Sequence, residues 1–393
     1  MHQTRQAPMQ LKFPDSLSIQ DFLDHYWQKK PLLMPDAIQD YDFDLSPEEL
    51  AGLACEEDVE SRIVLQQGRS EWELRYGPFD DTVFAELPET DWTLLVQDVD
   101  KYVPAIAELM RRFHFIPSWR FDDIMISYAI TGGSVGPHTD TYDVFLIQAR
   151  GKRRWQIGNK AKSDALLPNL PVRILEAFEP EKEWTLKPGD ILYLPPGIAH
   201  WGVAEDDDCM TWSVGLRAPS TPEMLGSFTQ HLLDHIPEET HFCDPPLSPQ
   251  NSPAQIRPEA IEQAVKQLDA WLLNEDLRQR WFGCFSTELK AHLFIEPRTH
   301  SIDQTQLPEL FRRQDWRRHP FSRWAWSERP DRQGLYLFVC GEVFELPEHC
   351  QNRLRRLCDD RQLGQSLLQD VDPALLKVLA RLINESWLVP CDD

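Results

Sequence analysis

The sequence predicts a mixed α+β protein whose centre is a sandwich or small barrel of short strands, with helices before and after it. Between about residues 120 and 217, β-rich runs bounded by glycine and proline recur every ~8–12 residues, which favours antiparallel sheets over βαβ units. Helix-start signals occur on both sides of this block. A chain of 393 residues is also too long for one hydrophobic core, so we expect two or three domains.

The segment before the strands contains two helix starts. Ser18 and Asp21 have the spacing of a capping box, in which each side chain bonds the backbone N–H of the other residue. Ser46 is followed by a proline at the first helical position and by two glutamates in the first turn. Both patterns predict a helical lead-in.

The segment after the strands is predicted to be helical and then to carry a β-hairpin. Residues 221–223 (TPE) form a helix start, and a second helical run is expected from Pro258 to about Trp281. The apolar residues on one face of the first helix are Met224, Leu225, Phe228, Leu232, Leu233 and Ile236. Farther on, two β-rich runs flank residues 340–342 (CGE), and Asp372 caps a last helix. Helices with a β-wing resemble a winged helix.

Composition restricts the partners and the compartment. The formal net charge of −24 disfavours nucleic acid and membrane surfaces and favours a cationic partner, such as a basic protein. We expect neither direct DNA binding nor a membrane span, because no run approaches ~18 apolar residues. The N-terminus lacks an apolar signal segment and the cysteines form no C-x-x-C pair, so we expect a cytoplasmic protein without a zinc ribbon.

One constellation in the β-rich block points to metal chemistry. Residues 132–140 (GGSVGPHTD) place His138 and Asp140 two positions apart, so in extended chain both side chains project to the same side. His200 follows a proline-glycine turn sixty positions later. Two histidines and one carboxylate are the ligand set of mononuclear non-haem Fe(II) oxygenases, because three protein ligands leave open positions for a 2-oxoacid and O₂. The His-x-Asp pair alone is a weak signal, and its alternative is a surface loop.

A basic residue supplies the second element of this hypothesis. An oxygenase that uses 2-oxoglutarate must bind the distal carboxylate of that cosubstrate, and a buried cation does so best. Alternation along a strand sends Arg153 to one face and its neighbours Lys152 and Arg154 to the other. Ser127 on the preceding strand is a candidate for the same carboxylate, and its alternative is an ordinary strand serine.

The motifs that carry this chemistry resemble those of the JmjC oxygenases, whose fold is a cupin-like double-stranded β-helix or jelly roll. The segments concerned are 132–140, 142–148, 151–155 and 188–200. The resemblance is closer to the bacterial ribosomal oxygenases, which hydroxylate an arginine of a large-subunit ribosomal protein. It extends to residues 27–31 (WQKKP) and to the winged C-terminal part, and so covers nearly the whole chain.

This resemblance implies a ligand set, a cosubstrate and an assembly. It implies Fe(II) held by His138, Asp140 and His200, and 2-oxoglutarate anchored by Arg153; many relatives have lysine at the anchor, but arginine fits the bacterial group. It also implies a homodimer formed by the helices after Pro219, which the apolar face of the first helix supports; the alternative for that face is packing within its own domain. The expected domains are an oxygenase domain over 1–219 (lead-in 1–119, core 120–219), a helical dimerisation domain over 220–302 and a winged-helix-like domain over 303–393.

Three further features have competing interpretations. Residues 205–208 (EDDD) could attract a cationic substrate or form a solvated turn, and Asp143 could also meet a substrate cation. The arginine- and tryptophan-rich stretch 312–332 is typical of single-strand nucleic acid binding. Residues 333–393 are nevertheless more acidic than basic, which favours a structural or protein-binding wing.

Two alternative functions remain open at this stage. A cupin-type metal enzyme that does not use 2-oxoglutarate would have no use for a buried Arg153. A non-catalytic ribosome- or RNA-binding module would have no need of the complete set of His138, Asp140 and His200.

Overall fold

Residues 11–68, 71–160 and 165–391 are described by the structure, a computed structural model. The chain divides into two units, Met1–Ala218 and Pro219–Asp393. Helices and antiparallel sheets occur in both units, so the α+β prediction is confirmed. Among the helices that the structure describes, none is long and apolar enough to cross a membrane. The further division of the second unit after residue 302 stays a prediction.

The first unit begins with the predicted helical lead-in. Ser18 and Ser46 cap the first two helices through capping boxes with Asp21 and Glu49, as the sequence predicts. The helices of this unit are α1 (Ile19–His25), α2 (Pro47–Leu53), α3 (Thr82–Ala85), α4 (Val99–Tyr102) and α5 (Pro104–Leu109).

In the part of the first unit that the structure describes, eleven strands form two antiparallel sheets, the arrangement expected of a double-stranded β-helix. The larger sheet has the order β1-β9-β6-β11-β5-β4-β2-β3, and the smaller has the order β10-β7-β8. The strands are β1 (Leu32–Met34), β2 (Ser61–Gln66), β3 (Trp72–Tyr76), β4 (Trp92–Val96), β5 (Phe121–Ala129), β6 (Val144–Arg150), β7 (Arg153–Lys160), β8 (Lys182–Leu186), β9 (Ile191–Leu194), β10 (Ile198–Ala204) and β11 (Cys209–Leu216).

The larger sheet has two differently used faces. On β5, Ile124 and Ile126 are fully buried in the main hydrophobic core together with residues of the lead-in, such as Phe22. Side chains of the other face meet the smaller sheet in a second apolar cluster, which contains Leu146 from β6 and Trp155 from β7. Because side chains alternate along a strand, residues 123, 125 and 127 of β5 turn to this inner face.

A buried polar network joins the lead-in to the outer face of the larger sheet. The Asp143 carboxylate is fully buried and accepts hydrogen bonds from the Tyr193 hydroxyl (2.6 Å) and the Gln28 side chain (3.1 Å). Arg120 completes it with an ion pair of 3.3 Å. The expectation that Asp143 meets a substrate cation is therefore wrong, since its cation is Arg120 of the same chain.

The second unit contains six helices and five strands among its described residues. They are α6 (Thr221–Leu233), α7 (Pro258–Leu272), α8 (Glu275–Thr287), α9 (Leu307–Arg313), α10 (Gln351–Asp359), α11 (Pro373–Asn384), β12 (Trp316–Arg318), β13 (Trp324–Glu328), β14 (Leu335–Val339), β15 (Glu342–Leu346) and β16 (Leu388–Pro390). The strands β13, β14 and β15 form one antiparallel sheet, and β12 pairs with β16.

The sequence predicted most helix and hairpin positions of this unit correctly, and two bounds need correction. The β14–β15 hairpin turns at Cys340 and Gly341, both with positive φ. The cap of α6 is Ser220, one residue before the predicted start. The helical run predicted from Pro258 to Trp281 is broken after Leu272, because Asn274 caps a new helix by accepting a hydrogen bond from the N–H of Leu277.

Many side chains of the arginine- and tryptophan-rich stretch 312–332 form ion pairs or pack within the second unit. Arg312 and Arg313 both pair with Glu309, and Arg329 pairs with Glu345 at 2.8 Å. The side chains of Trp316 and Trp324 are buried in the hydrophobic cluster of this unit. These contacts favour the structural interpretation of the stretch over nucleic acid binding.

The buried Asp143 network leads to a stability prediction. Replacing Asp143→Ala leaves the Arg120 guanidinium without its buried partner, so we expect the free energy of unfolding to fall by about 3–5 kcal/mol. Urea denaturation measures this loss. The control is Asp208→Ala, which breaks an exposed pair with Arg150 and should cost at most about 1 kcal/mol. Equal losses in the two variants would contradict the structural role of the network.

Candidate metal centre

Backbone pairing brings the His-x-Asp segment onto the strand that carries the second histidine. The N–H of His138 donates to the carbonyl of His200 (3.0 Å), and the N–H of His200 donates to the carbonyl of His138 (2.9 Å). The N–H of Gly197 donates to the carbonyl of Asp140 at 2.8 Å. The loop between β5 and β6 is thus an extra antiparallel partner of β10, and His138 and His200, 62 positions apart, lie side by side.

Glycine and serine fix the approach of this loop. Gly136 has a φ of +78°, and a Cβ there would lie 2.9 Å from the Ile174 side chain. The buried Ser134 hydroxyl accepts hydrogen bonds from the N–H of Gly136 (3.0 Å) and from the indole of Trp201 (2.8 Å). The glycine-rich run therefore sets the direction in which His138 and Asp140 leave the loop.

Three potential ligand atoms converge at this point. One ligand atom from each of His138, Asp140 and His200 lies within 4.8 Å of the others. The two imidazole centroids are 4.2 Å apart, and Nε2 of His200 is 3.5 Å from a carboxylate oxygen of Asp140. In each ring Nδ1 lies 2.9 Å from a backbone carbonyl, that of Gly136 or Ile198. A proton on Nδ1 leaves the Nε2 lone pair for a metal ion.

The protonation states of His200 and Tyr142 favour binding of a cation at this site. Burial, and after it the neighbouring His138, lower the pKa of His200 to about 4, so this imidazole is neutral at neutral pH. Desolvation of its hydroxyl, with the nearby carboxylates of Asp140 and Asp123, raises the pKa of Tyr142, a residue whose ring is partly exposed, and the protonated hydroxyl hydrogen-bonds Asp140. Two imidazoles and one carboxylate, acting as metal ligands, carry a single negative charge, which suits a divalent transition metal.

Arg153 lies on the inner face of β7, in a buried environment. Its side chain is 3% exposed, and its Nη2 nitrogen has no hydrogen-bond partner among the described residues. Nε donates to the Cys209 sulfur at 3.4 Å, and the guanidinium carbon lies 5.7 Å from the centre of the Trp155 ring. Of its neighbours, Lys152 is exposed and Arg154 pairs with Glu183 and Glu205 at the surface. A buried guanidinium with an unused donor is suited to an anion.

Ser127 lies on the inner face of β5, opposite Thr211 of β11. It is buried, and its hydroxyl donates a long hydrogen bond of 3.4 Å to the backbone carbonyl of Thr211. The structure therefore brings His138, Asp140 and His200 together and places Arg153 and Ser127 on strands with inward-facing side chains. Their roles as ligands and anchors stay predictions.

Several inner-face residues were missed by the sequence reasoning. Asp123 is 6% exposed and shares the face of Ser127, and its charge acts on Tyr142. Cys209 is fully buried next to Arg153, and Gln148 is fully buried on the other side of the Cys209 hydrogen bonds. Counting back in steps of two from Ser127 would have found Asp123. Cys209 carried no signal, because a cysteine at the start of a strand is usually a small core residue.

The acidic run after the second histidine forms a structured turn. The Asp207 carboxylate accepts hydrogen bonds from the backbone N–H (3.1 Å) and hydroxyl of Thr131, which lowers the pKa of that carboxyl. Asp208 pairs with Arg150 at 2.9 Å. The solvated-turn interpretation is therefore the better one for residues 205–208.

Comparison with known proteins matches both units. The JmjC domain family matches residues 108–224, and the ROXA-like winged helix family matches residues 261–389. The chain is 38% identical over 380 residues to the ribosomal protein uL16 3-hydroxylase of Escherichia coli (strain K12), covering 96% of this chain and 99% of that protein. It is 39% identical over 260 residues to a probable ribosomal oxygenase of Haemophilus influenzae, covering 65% of this chain and 64% of that protein.

Solved structures give the same relationship. The X-ray structure of E. coli ycfD aligns with a TM-score of 0.87 and 32% identity, covering 97% of this chain and 100% of that one. The structure of ycfD in complex with cobalt and 2-oxoglutarate aligns with a TM-score of 0.84 over 97% of this chain and 99% of that one. The fold class, including the C-terminal winged helix, is confirmed, and the chain belongs to the JmjC-domain ribosomal oxygenases.

Proposed function

We propose that this chain is an Fe(II)- and 2-oxoglutarate-dependent protein hydroxylase that acts on an arginine of a large-subunit ribosomal protein. The observation that carries the proposal is the convergence of His138, Asp140 and His200 beside a buried, incompletely bonded Arg153. One relative is named for hydroxylation of ribosomal protein uL16, and a similar solved structure, the ribosomal oxygenase YcfD, is a complex with cobalt and 2-oxoglutarate. Such a substrate would place the enzyme in the cytoplasm.

The donor set fits iron in charge, softness and access. His138 and His200 would hold Fe(II) through Nε2, and Asp140 through a carboxylate oxygen. When bound, iron with 2-oxoglutarate and O₂ supplies the oxidation that converts a substrate C–H to C–OH, with CO₂ and succinate as coproducts. The carbonyls of Gly136 and Ile198 hold both imidazoles in the tautomer and orientation that ligation needs.

Arg153 fits a dicarboxylic cosubstrate. A buried guanidinium without a carboxylate partner is costly, and a bound distal carboxylate would remove that cost. This pairing distinguishes 2-oxoglutarate use from a cupin-type metal enzyme without a cosubstrate, in which a buried Arg153 has no function. It also argues against a non-catalytic binding module, which needs neither the anchor nor the ligands.

The inner face also carries groups suited to a cationic substrate side chain. Asp123 is a buried carboxylate near the Tyr142 hydroxyl, which itself hydrogen-bonds Asp140. A guanidinium entering this region would gain charge-assisted hydrogen bonds from groups that are already ordered. The net charge of −24 adds long-range attraction for a basic ribosomal protein. These features support arginine as the modified residue.

We also propose that the chain is a homodimer, formed through α6 and α7. Within their own unit, Phe228 packs on Trp281 of α8 with ring centroids 4.8 Å apart, and Leu232 is buried. Other apolar residues of these helices remain exposed: Leu225, Leu233, Ile261, Val265, Leu268 and Leu272. The exposed residues of α7 follow helical spacing on one face, which is typical of a subunit interface.

The first test of the function is product analysis. With Fe(II), 2-oxoglutarate and O₂, the enzyme should add the mass of one oxygen atom to a ribosomal protein, and fragmentation should locate it on an arginine. His138→Ala and Asp140→Ala should abolish substrate-coupled succinate formation while leaving the circular dichroism spectrum unchanged. Asp207→Ala, in the nearby turn, should retain activity. Undiminished turnover in either variant would show that His138 and Asp140 do not hold the catalytic metal.

The second test concerns the anchor. Arg153→Ala should raise the dissociation constant of 2-oxoglutarate by one to several orders of magnitude, because a buried charge-assisted pair contributes about 2–5 kcal/mol. Metal binding should be unchanged. Arg154→Ala, its neighbour on the outer face, is the matched control and should bind 2-oxoglutarate normally. An unaltered affinity in Arg153→Ala would require another anchor.

The third test addresses assembly. Light scattering should give twice the chain mass of 45.8 kDa for the wild type. Ile261→Arg with Leu268→Arg should split the dimer, because like charges would face each other in a desolvated contact. The control is Leu247→Arg, an exposed leucine outside the helices, which should leave the mass unchanged. A wild-type mass equal to one chain would contradict the dimer.

A further inference from the structure

The Cys209 sulfur is the meeting point of two side-chain donors on the inner face. It accepts a hydrogen bond from Nε of Arg153 at 3.4 Å and from the Gln148 side-chain amide at 3.5 Å. The two donors come from β7 and β6, which belong to different sheets. The thiol is fully buried, and it packs against Ala129 and Ala204, which offer only methyl groups. Cys209 thus links the two sheets at the position of Arg153.

The contact on Nε determines which edge of the guanidinium stays available. A guanidinium binds a carboxylate either side-on, through Nε and Nη2, or end-on, through its two terminal nitrogens. The sulfur occupies the N–H of Nε, whereas the buried Nη2 has no partner among the described residues. The end-on edge is therefore the one presented to an incoming carboxylate.

Gln148, which donates to the Cys209 sulfur, is itself held by two further hydrogen bonds. The Gln148 amide also donates to the carbonyl of Arg150 (2.7 Å), and its oxygen accepts from the Thr211 hydroxyl (3.2 Å). Gln148 and Thr211 are both buried in paired strands. Because Gln148 is held by Arg150 and Thr211 and in turn bonds the sulfur, the acceptor of the Arg153 Nε–H is fixed in place.

We infer that Cys209 is a positioning residue that orients Arg153 for end-on binding of the distal carboxylate of 2-oxoglutarate. A carboxylate in its place would orient the guanidinium equally well, but it would neutralise the charge and compete with the cosubstrate. A neutral sulfur orients the guanidinium and leaves its charge available. This inference rests on the proposed function, since it assigns Cys209 a role toward the same cosubstrate.

The experiment is a calorimetric titration of enzyme loaded with Mn²⁺ in place of iron. Cys209→Ala should weaken 2-oxoglutarate binding about three- to tenfold, the factor that corresponds to the loss of one ordinary hydrogen bond, since sulfur is a weak acceptor. Oxalate, which can chelate the metal but lacks the distal carboxylate, should bind as tightly as to the wild type. Cys209→Ser keeps an acceptor with a shorter reach, and its 2-oxoglutarate affinity should lie between those of wild type and Cys209→Ala.

A second buried cysteine provides the control for loss of a thiol. Cys350→Ala makes the same change at a fully buried cysteine of the second unit and should alter neither affinity. Equal weakening of 2-oxoglutarate and oxalate in Cys209→Ala would reduce Cys209 to general packing, and unchanged 2-oxoglutarate affinity would also overturn the inference. If wild type binds 2-oxoglutarate and only Arg153→Ala loses it, the proposed function stands and the role of Cys209 fails. If wild type itself does not bind 2-oxoglutarate, both fail.

Discussion

The reciprocal backbone hydrogen bonds between His138 and His200 are the contact on which the rest of the site depends. They attach the loop after β5 to β10, so that two side chains from distant parts of the sequence leave adjacent backbone positions. Side-chain flexibility contributes little to the placement, because the imidazoles are also held by local carbonyls. A metal ligand set assembled in this way exists before any ion arrives, which reduces the entropic cost of binding one.

Two buried charged residues of the first unit, Asp143 and Arg153, differ in how completely the chain supplies their partners. On the outer face of the larger sheet, Asp143 is paired with Arg120 and saturated by neutral donors, which is the pattern of a structural network. On the inner face, Arg153 is also buried, and among the described residues its guanidinium is held by a sulfur and an aromatic ring. Asp143 has its partners within the chain, so its network stabilises the fold. Arg153 has a donor without a partner among the described residues, and a buried donor of this kind favours an anionic ligand.

Alternation along the strands explains how one sheet serves both purposes. On β5, Ile124 and Ile126 belong to the core shared with the lead-in, while Asp123 and Ser127 turn toward the site. A shift of register by one residue would exchange these faces, burying the polar groups in the core. The geometry of the site and the stability of the fold thus depend on the same pairing of β5 with β11.

The sequence by itself determined the features that depend on near neighbours. Capping boxes at Ser18 and Ser46, the turn at Cys340 and Gly341, and the strand alternation that points Arg153 inward are set by interactions within a few residues, so they could be predicted. The three residues that converge at the candidate metal centre could also be proposed from the sequence, because the chemistry restricts the ligand types and the His-x-Asp spacing is local.

Only the tertiary structure decided which distant side chains meet. It paired Asp143 with Arg120 rather than with a substrate, packed Phe228 on Trp281, and placed the Cys209 sulfur within hydrogen-bond distance of both Gln148 and Arg153. None of these contacts has a signature in either partner's own segment. Each depends on strand order and register, which arise from the packing of the whole sheet, and for that physical reason no local pattern could have revealed them.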